Sequence, residues 1–113
     1  MSATVAAAIA TCVRELHAAA EMARGYQLGQ TGYYIDSAAD GLGKDPVAWA
    51  KPVTTFFARW THGRANDFRT RVPMTRWIYR DGATPEATPA ERATTYKHAR
   101  ECYSLAADAL DKL

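Results

Sequence analysis

A chain of 113 residues is long enough for one domain around a single hydrophobic core, and we take 1–113 as that domain. Leu, Ile, Val and Phe contribute only 17 residues, but a net charge of +2, 12 aromatic residues and 23 alanines argue against a disordered chain. Two cysteines exclude a disulfide framework and favour a cytoplasmic protein with reduced, buried thiols. The N-terminus is not typical of an export signal, and we expect no membrane association, because every apolar run is shorter than a membrane span.

The first predicted element is a helix from Ser2 to Ala23. Ser2 is a good N-cap, alanine favours helix, and the next glycine is Gly25. Apolar residues recur at alternating steps of four and three, which predicts one buried stripe along the helix. That stripe contains Val5, Ile9, Cys12, Leu16, Ala19 and Ala23.

The region from 24 to 45 contains five of the seven glycines, and we predict that it is rich in loops with one short helix at 33–39. Proline at position 46 favours a turn at 46–50, and the next proline interrupts it. A third helix is predicted at about 52–62, ended by Gly63. Its inward-facing residues would be Val53, Phe56, Phe57 and Trp60.

Residues 63–82 are predicted to form an irregular, basic stretch. Phe68, Thr70 and Val72 alternate with arginines, which fits a short strand, and 74–80 would be either its hairpin partner or a helical turn. The periodicity of so short a stretch leaves both alternatives open.

The C-terminal helix is predicted to begin near Thr88, although Thr84-Pro85 is an alternative start. Pro89 suits the first helical turn, and Glu91 suits the positive end of the helix dipole. The apolar stripe again steps by three and four, so we expect the two terminal helices to pack together in a mainly α bundle of three to four helices. This second stripe contains Tyr96, Ala99, Tyr103, Ala106, Leu110 and Leu113.

Charge is concentrated in the middle of the chain. Residues 51–80 carry seven Lys or Arg and one Asp, a net charge of +6, whereas 1–50 and 81–113 each carry −2. Arginine pairs with carboxylate or phosphate in a bidentate way and stacks on rings. Trp60 and Phe68 are either further stacking platforms or core residues. The predicted binding residues are Arg59, Arg64, Arg69, Arg71, Arg76, Trp77, Tyr79 and Arg80.

Catalytic and metal chemistry have weaker support. His98 and Cys102 share a helical face, but a zinc site needs further ligands, so we predict no metal and no cofactor. The paired spacing of Asp36 and Asp40 would need a pocket to serve in acid–base catalysis. His17 and Glu21, four residues apart, are interpreted as a solvated pair. The sequence thus offers no catalytic residue that we would name.

The pattern as a whole is typical of a small, non-catalytic interaction protein. We predict an adaptor or inhibitor that places its basic and aromatic face on an acidic or nucleic-acid-binding surface of a protein partner. By analogy, small chains of this kind are encoded by phages and mobile elements. The first alternative is direct nucleic-acid binding by the same segment, and the second is an enzyme or metal protein without a recognisable motif.

Overall fold

The computed structural model of the chain describes residues 2–46, 68, 71 and 86–113. In these ranges the chain forms three helices: α1 (Ala3–Gly25), α2 (Gly29–Lys44) and α3 (Pro89–Asp111). Helix α1 packs against both α2 and α3, whereas α2 and α3 hardly contact each other. The predicted mainly α bundle is therefore confirmed, including the contact between the terminal helices. The helix predicted at 52–62 lies outside the described residues.

Both terminal helices begin at the predicted caps. The Val5 N–H donates to Ser2 Oγ over 3.2 Å at the start of α1. At the start of α3 the Glu91 N–H donates to Thr88 Oγ1 over 3.2 Å, and the Thr88 hydroxyl donates to the Glu91 carboxylate over 3.0 Å. The first bond is the N-cap half of a capping box, whereas the Glu91 carboxylate accepts from the Thr88 hydroxyl and not from its backbone N–H; Pro89 follows in the first turn. Thr88 is thus the start of the helix, and the alternative start at residue 84 is excluded.

A tight turn connects α1 to α2. The Leu28 N–H donates to the Ala23 carbonyl over 2.8 Å and the Gln27 N–H donates to the Arg24 carbonyl over 3.0 Å, as in a Schellman motif. Gln27 takes the left-handed conformation that this motif requires, with φ 62°. The turn sends α2 back along α1, so the two helices form an antiparallel hairpin.

The prediction of a loop-rich region at 24–45 is wrong. Residues Gly29–Lys44 form one continuous helix, in spite of four glycines. Its buried positions include Ile35 and Leu42, and they recur at helical spacing along the side that faces α1. Burial of this side stabilises the helix more than the glycines weaken it, since most helical stability in proteins comes from tertiary packing.

The core is built largely from alanine. Both predicted stripes are buried along their middle, whereas their ends at Val5 and Leu113 are 48% and 43% exposed. Cys12 and Cys102 are buried and unbridged, as predicted, and each occupies a position where cysteine acts as a small apolar residue. The alanines that contribute to the core are Ala19, Ala20, Ala23, Ala38, Ala39, Ala99, Ala106 and Ala109.

Gly32 marks a close approach of α1 and α2. A Cβ atom at this position would lie 3.1 Å from the carbonyl oxygen of Ala20 and 3.3 Å from Cγ of Arg24. The backbone oxygen cannot move away without shifting α1. The two helices therefore depend on the missing side chain for their spacing.

We expect Gly32→Ala to destabilise the fold by about 1 kcal/mol, because crowding at the helix interface outweighs the gain in helix propensity. Gly43→Ala is the matched control, since a Cβ there meets no atom of the described residues within 4 Å. The control should stabilise the fold by about 0.5–1 kcal/mol. Urea unfolding of both variants measures the difference, and equal stabilisation by both would contradict the close approach.

Candidate binding surface

Of the eight predicted binding residues, the structure describes one, Arg71. The other seven lie outside the described residues, and their role stays a prediction: Arg59, Arg64, Arg69, Arg76, Trp77, Tyr79 and Arg80. Two described positions, Phe68 and Arg71, nevertheless show where this basic segment (residues 56–80) meets the helical bundle.

Phe68 belongs to the hydrophobic core. Its side chain is fully buried and meets the ring of Tyr103 edge to face, with centroids 5.1 Å apart and planes at 85°. Such a pair adds about 0.5–1.5 kcal/mol beyond the area that it buries. The alternative in which Phe68 is a stacking platform for a ligand is therefore wrong. Its ring fixes the basic segment to α3 instead.

Arg71 follows in a turn. Its N–H donates to the Phe68 carbonyl over 2.9 Å, and its φ of 57° lies in the left-handed region. The short strand predicted through Phe68 and its neighbours is inconsistent with that geometry, and the two alternatives for 74–80 lie outside the described residues. A left-handed non-glycine residue costs about 1 kcal/mol or more, so the surrounding contacts must hold it in place.

Those contacts lie at the C-terminal end of α3. Nη2 of Arg71 is 2.5 Å from Oδ1 of Asp108 and 3.3 Å from Oδ2 of Asp111. The hydrogen bonds to Asp108 and then to Asp111 raise the pKa of Arg71. Two carboxylates in the last turns of a helix are unfavourable beside its negative end, and Arg71 offsets them with a positive charge. Its guanidinium is thus paired within the chain.

A second surface is an open groove of about 620 Å³ between α1 and α3, which we call the α1–α3 groove. Apolar groups make up most of it, and Met22 and Leu105 are 38% and 42% exposed. The sequence did not reveal this groove, because Met22 on α1 and the exposed side chains of α3 line one surface only after the two helices pack. The groove is lined by Met22, Ala93, Tyr96, Lys97, Arg100, Glu101, Ser104 and Leu105.

Tyr26, the residue that follows α1, contacts α3 beside the groove. The rings of Tyr26 and His98 are stacked, with centroids 3.9 Å apart and planes at 9°. The Tyr26 hydroxyl donates to the Glu101 carboxylate over 3.1 Å, and this hydrogen bond raises the pKa of Tyr26. These contacts fix the position of the groove wall.

A polar cluster lies on the other side of α1, against α2. Nδ1 of His17 is 2.7 Å from Asp36, and Arg24 contacts both Asp36 and Glu21 at 2.5 Å. The predicted pair of His17 with Glu21 is therefore wrong: His17 pairs with Asp36 across the helix interface, and Glu21 pairs with Arg24 within α1. The second carboxylate, Asp40, is 3.8 Å from Nε2 of His17.

Burial acts to raise the pKa of Asp36, but hydrogen bonds from His17 and Arg24 outweigh it and hold the pKa below its ordinary value. The contacts of Asp36 therefore stabilise the fold above the pKa of the unfolded aspartate. That contribution is lost as the pH falls through the lowered pKa of the folded state. The cluster is an interhelical tie that weakens in acid.

Arg71 offers a direct test of the turn. Arg71→Ala removes the ion pairs with α3 and keeps a side chain in the left-handed conformation, whereas Arg71→Gly removes the same pairs and relieves the backbone. We expect the alanine variant to be less stable than the glycine variant by about 1 kcal/mol. Thermal unfolding of the two proteins makes the comparison. An alanine variant at least as stable as the glycine variant would contradict the left-handed turn.

The described residues contain no group of three or more His, Cys, Asp or Glu side chains placed to bind a metal ion. Among the described helices, none combines the length and the apolar character that crossing a membrane requires. No protein-family model, curated protein or solved structure matches this chain. A function must therefore be argued from the two surfaces themselves.

Proposed function

We propose that this chain is a cytoplasmic, non-catalytic interaction protein, an adaptor or inhibitor, that binds an acidic surface of a protein partner through the basic segment. The observation that carries the proposal is the charge distribution, with +6 in residues 51–80 and −2 on either side. A local excess of one sign steers an oppositely charged partner and selects its orientation. Arginine adds bidentate pairing with carboxylates, which lysine does not offer.

The anchors at Phe68 and Arg71 support this proposal. A segment tied to α3 at two positions has less conformational freedom to lose when it binds, and this reduces the entropic cost of association. The pair between Arg71 and Asp108 is also an example, within the chain, of the contact that we propose with the partner. The arginines that we propose for contact with the partner are Arg59, Arg64, Arg69, Arg76 and Arg80.

Direct binding of nucleic acid is the alternative that a test must distinguish from binding of a protein partner. Single-stranded nucleic acid requires aromatic platforms beside the positive charges. Burial of Phe68 removes one of the rings that sequence analysis assigned to that role. Pairing of arginines with carboxylates on a protein partner does not require base-stacking platforms, so we favour a protein partner.

The test uses the full chain with an affinity tag, in a native lysate treated with nuclease. We expect it to capture a partner protein and the variant Arg69→Ala, Arg76→Ala, Arg80→Ala to capture none. Loss of one arginine from a desolvated ion pair costs about 2–5 kcal/mol of binding free energy. Arg71 is left unchanged, since its loss would disturb the turn. The matched control removes three charges elsewhere, by Arg14→Ala, Lys44→Ala and Arg92→Ala, and should bind like the wild type.

Two results would contradict the proposal. Equal capture by the arginine variant and the wild type would show that the basic segment is not the binding surface. Binding that vanishes with nuclease, and that falls steeply and log-linearly with salt on a purified oligonucleotide, would assign the segment to nucleic acid instead. Unfolding curves for all proteins exclude a loss of fold as the cause.

A further inference from the structure

The α1–α3 groove has the length of a short helix. Its lining residues on α3 extend from Ala93 to Leu105. At 1.5 Å per residue this stretch is about 18 Å long, or slightly more than three helical turns. The α3 side of the groove therefore matches a partner helix of three to four turns in length.

The floor of the groove is apolar and open to solvent. Met22 on α1 and Leu105 on α3 are exposed for 38% and 42% of their surface, and Tyr96 is half-buried. Three apolar side chains along a groove are the arrangement that receives the i, i+3/i+4 and i+7 anchors of an amphipathic helix.

Two cations and one carboxylate lie beside the floor among the described residues. Lys97 and Arg100 line the groove, and neither forms an ion pair with any described residue. The guanidinium of Arg100 lies 5.7 Å from the centre of the Tyr96 ring, which holds it beside the floor. Among the described lining residues the carboxylate is Glu101, which accepts the Tyr26 hydrogen bond. Within the part of the chain that the structure describes, the groove therefore presents two cations without an ion pair next to apolar anchoring positions.

From this combination we infer that the α1–α3 groove is a second binding site, whose ligand is an amphipathic, acidic helix of a partner protein. Apolar side chains of that helix contact Met22, Tyr96 and Leu105, and carboxylates on its flank pair with Lys97 and Arg100. Charge complementarity selects this occupant over a neutral or basic helix. The inference uses only described residues and does not rest on the basic segment.

The test uses three labelled helical peptides of 15 residues. The first has leucines at i, i+4 and i+7 with glutamates on the flank, the second has the same leucines with lysines, and the third has the glutamates with alanines as anchors. We expect the first to bind at least about tenfold more tightly than either of the others, measured by fluorescence anisotropy. Addition of the first peptide should change the amide chemical shifts of the protein at Met22 and at residues 93–105.

The double variant Lys97→Glu, Arg100→Glu should reverse the order, so that the lysine peptide binds more tightly than the glutamate peptide. Both residues lie on the surface lining of the groove, so the fold should be kept. The control Arg14→Glu, Lys44→Glu reverses two exposed charges elsewhere and should keep the wild-type order. The variant Arg69→Ala, Arg76→Ala, Arg80→Ala of the basic segment should also bind the three peptides in the wild-type order. A failure of the groove inference can therefore be distinguished from a failure of the proposed function.

Other occupants give different results, and each would overturn the inference. If the protein is dimeric by light scattering and Leu105→Glu makes it monomeric, the groove binds a second copy of the chain. If anionic vesicles sediment with the protein and Met22→Glu abolishes this, it binds a lipid surface. Equal affinities for the three peptides, or no measurable binding, would show that the groove does not select an acidic helix.

Discussion

The simultaneous close packing of α1 against two helices is the constraint on which the described structure depends. Helices α2 and α3 hardly contact each other, so among the three described helices α1 is the one that joins the other two into one core. Alanines on α1 permit this, because small side chains let two neighbours approach on adjacent sides of one helix. Gly32 shows how close the approach is, since even a methyl group there would meet the Ala20 carbonyl oxygen at 3.1 Å. A bundle with so few large side chains obtains its burial from short distances between helices.

The polar contacts at the edges of this packing set the register of the helices. The pairs of Asp36 with His17 and Arg24 fix α2 on α1, and Lys112 reaches Glu15 at 2.6 Å to fix the end of α3. Such exposed pairs are individually weak, at about 0–1 kcal/mol each. Packing therefore provides the stability, and the charges position the helices. The α1–α3 groove and the anchor of the basic segment both follow from that position, because each is built on α3 where it lies against α1.

The sequence predicted the terminal helices well because their signals are local: a capping residue, a proline in the first turn and an apolar stripe. The sequence-based prediction failed for α2, because its four glycines are typical of loops. The helix forms in spite of them because it packs against α1. The sequence did not decide whether Phe68 is a core residue or a stacking platform for a ligand. A ring beside arginines suits either role, and only its contact with Tyr103 in the structure assigns it to the core. The pairing of Arg71 with Asp108 joins residues 37 positions apart, and such contacts leave no local pattern. The groove was missed for the same reason, because Met22 and Leu105 become neighbours only when α1 and α3 pack.

Native-state hydrogen exchange tests the central role of α1 most directly. Amides of Leu16, Ala19 and Ala20 on α1 should exchange only through global unfolding, with a free energy equal to that from urea denaturation. Amides of α2 and α3 should be no better protected than these, because each of those helices can separate from α1 while the other stays packed. Exchange of the α1 amides through local opening, at a lower free energy than the amides of Ile35 or Tyr103, would contradict the account.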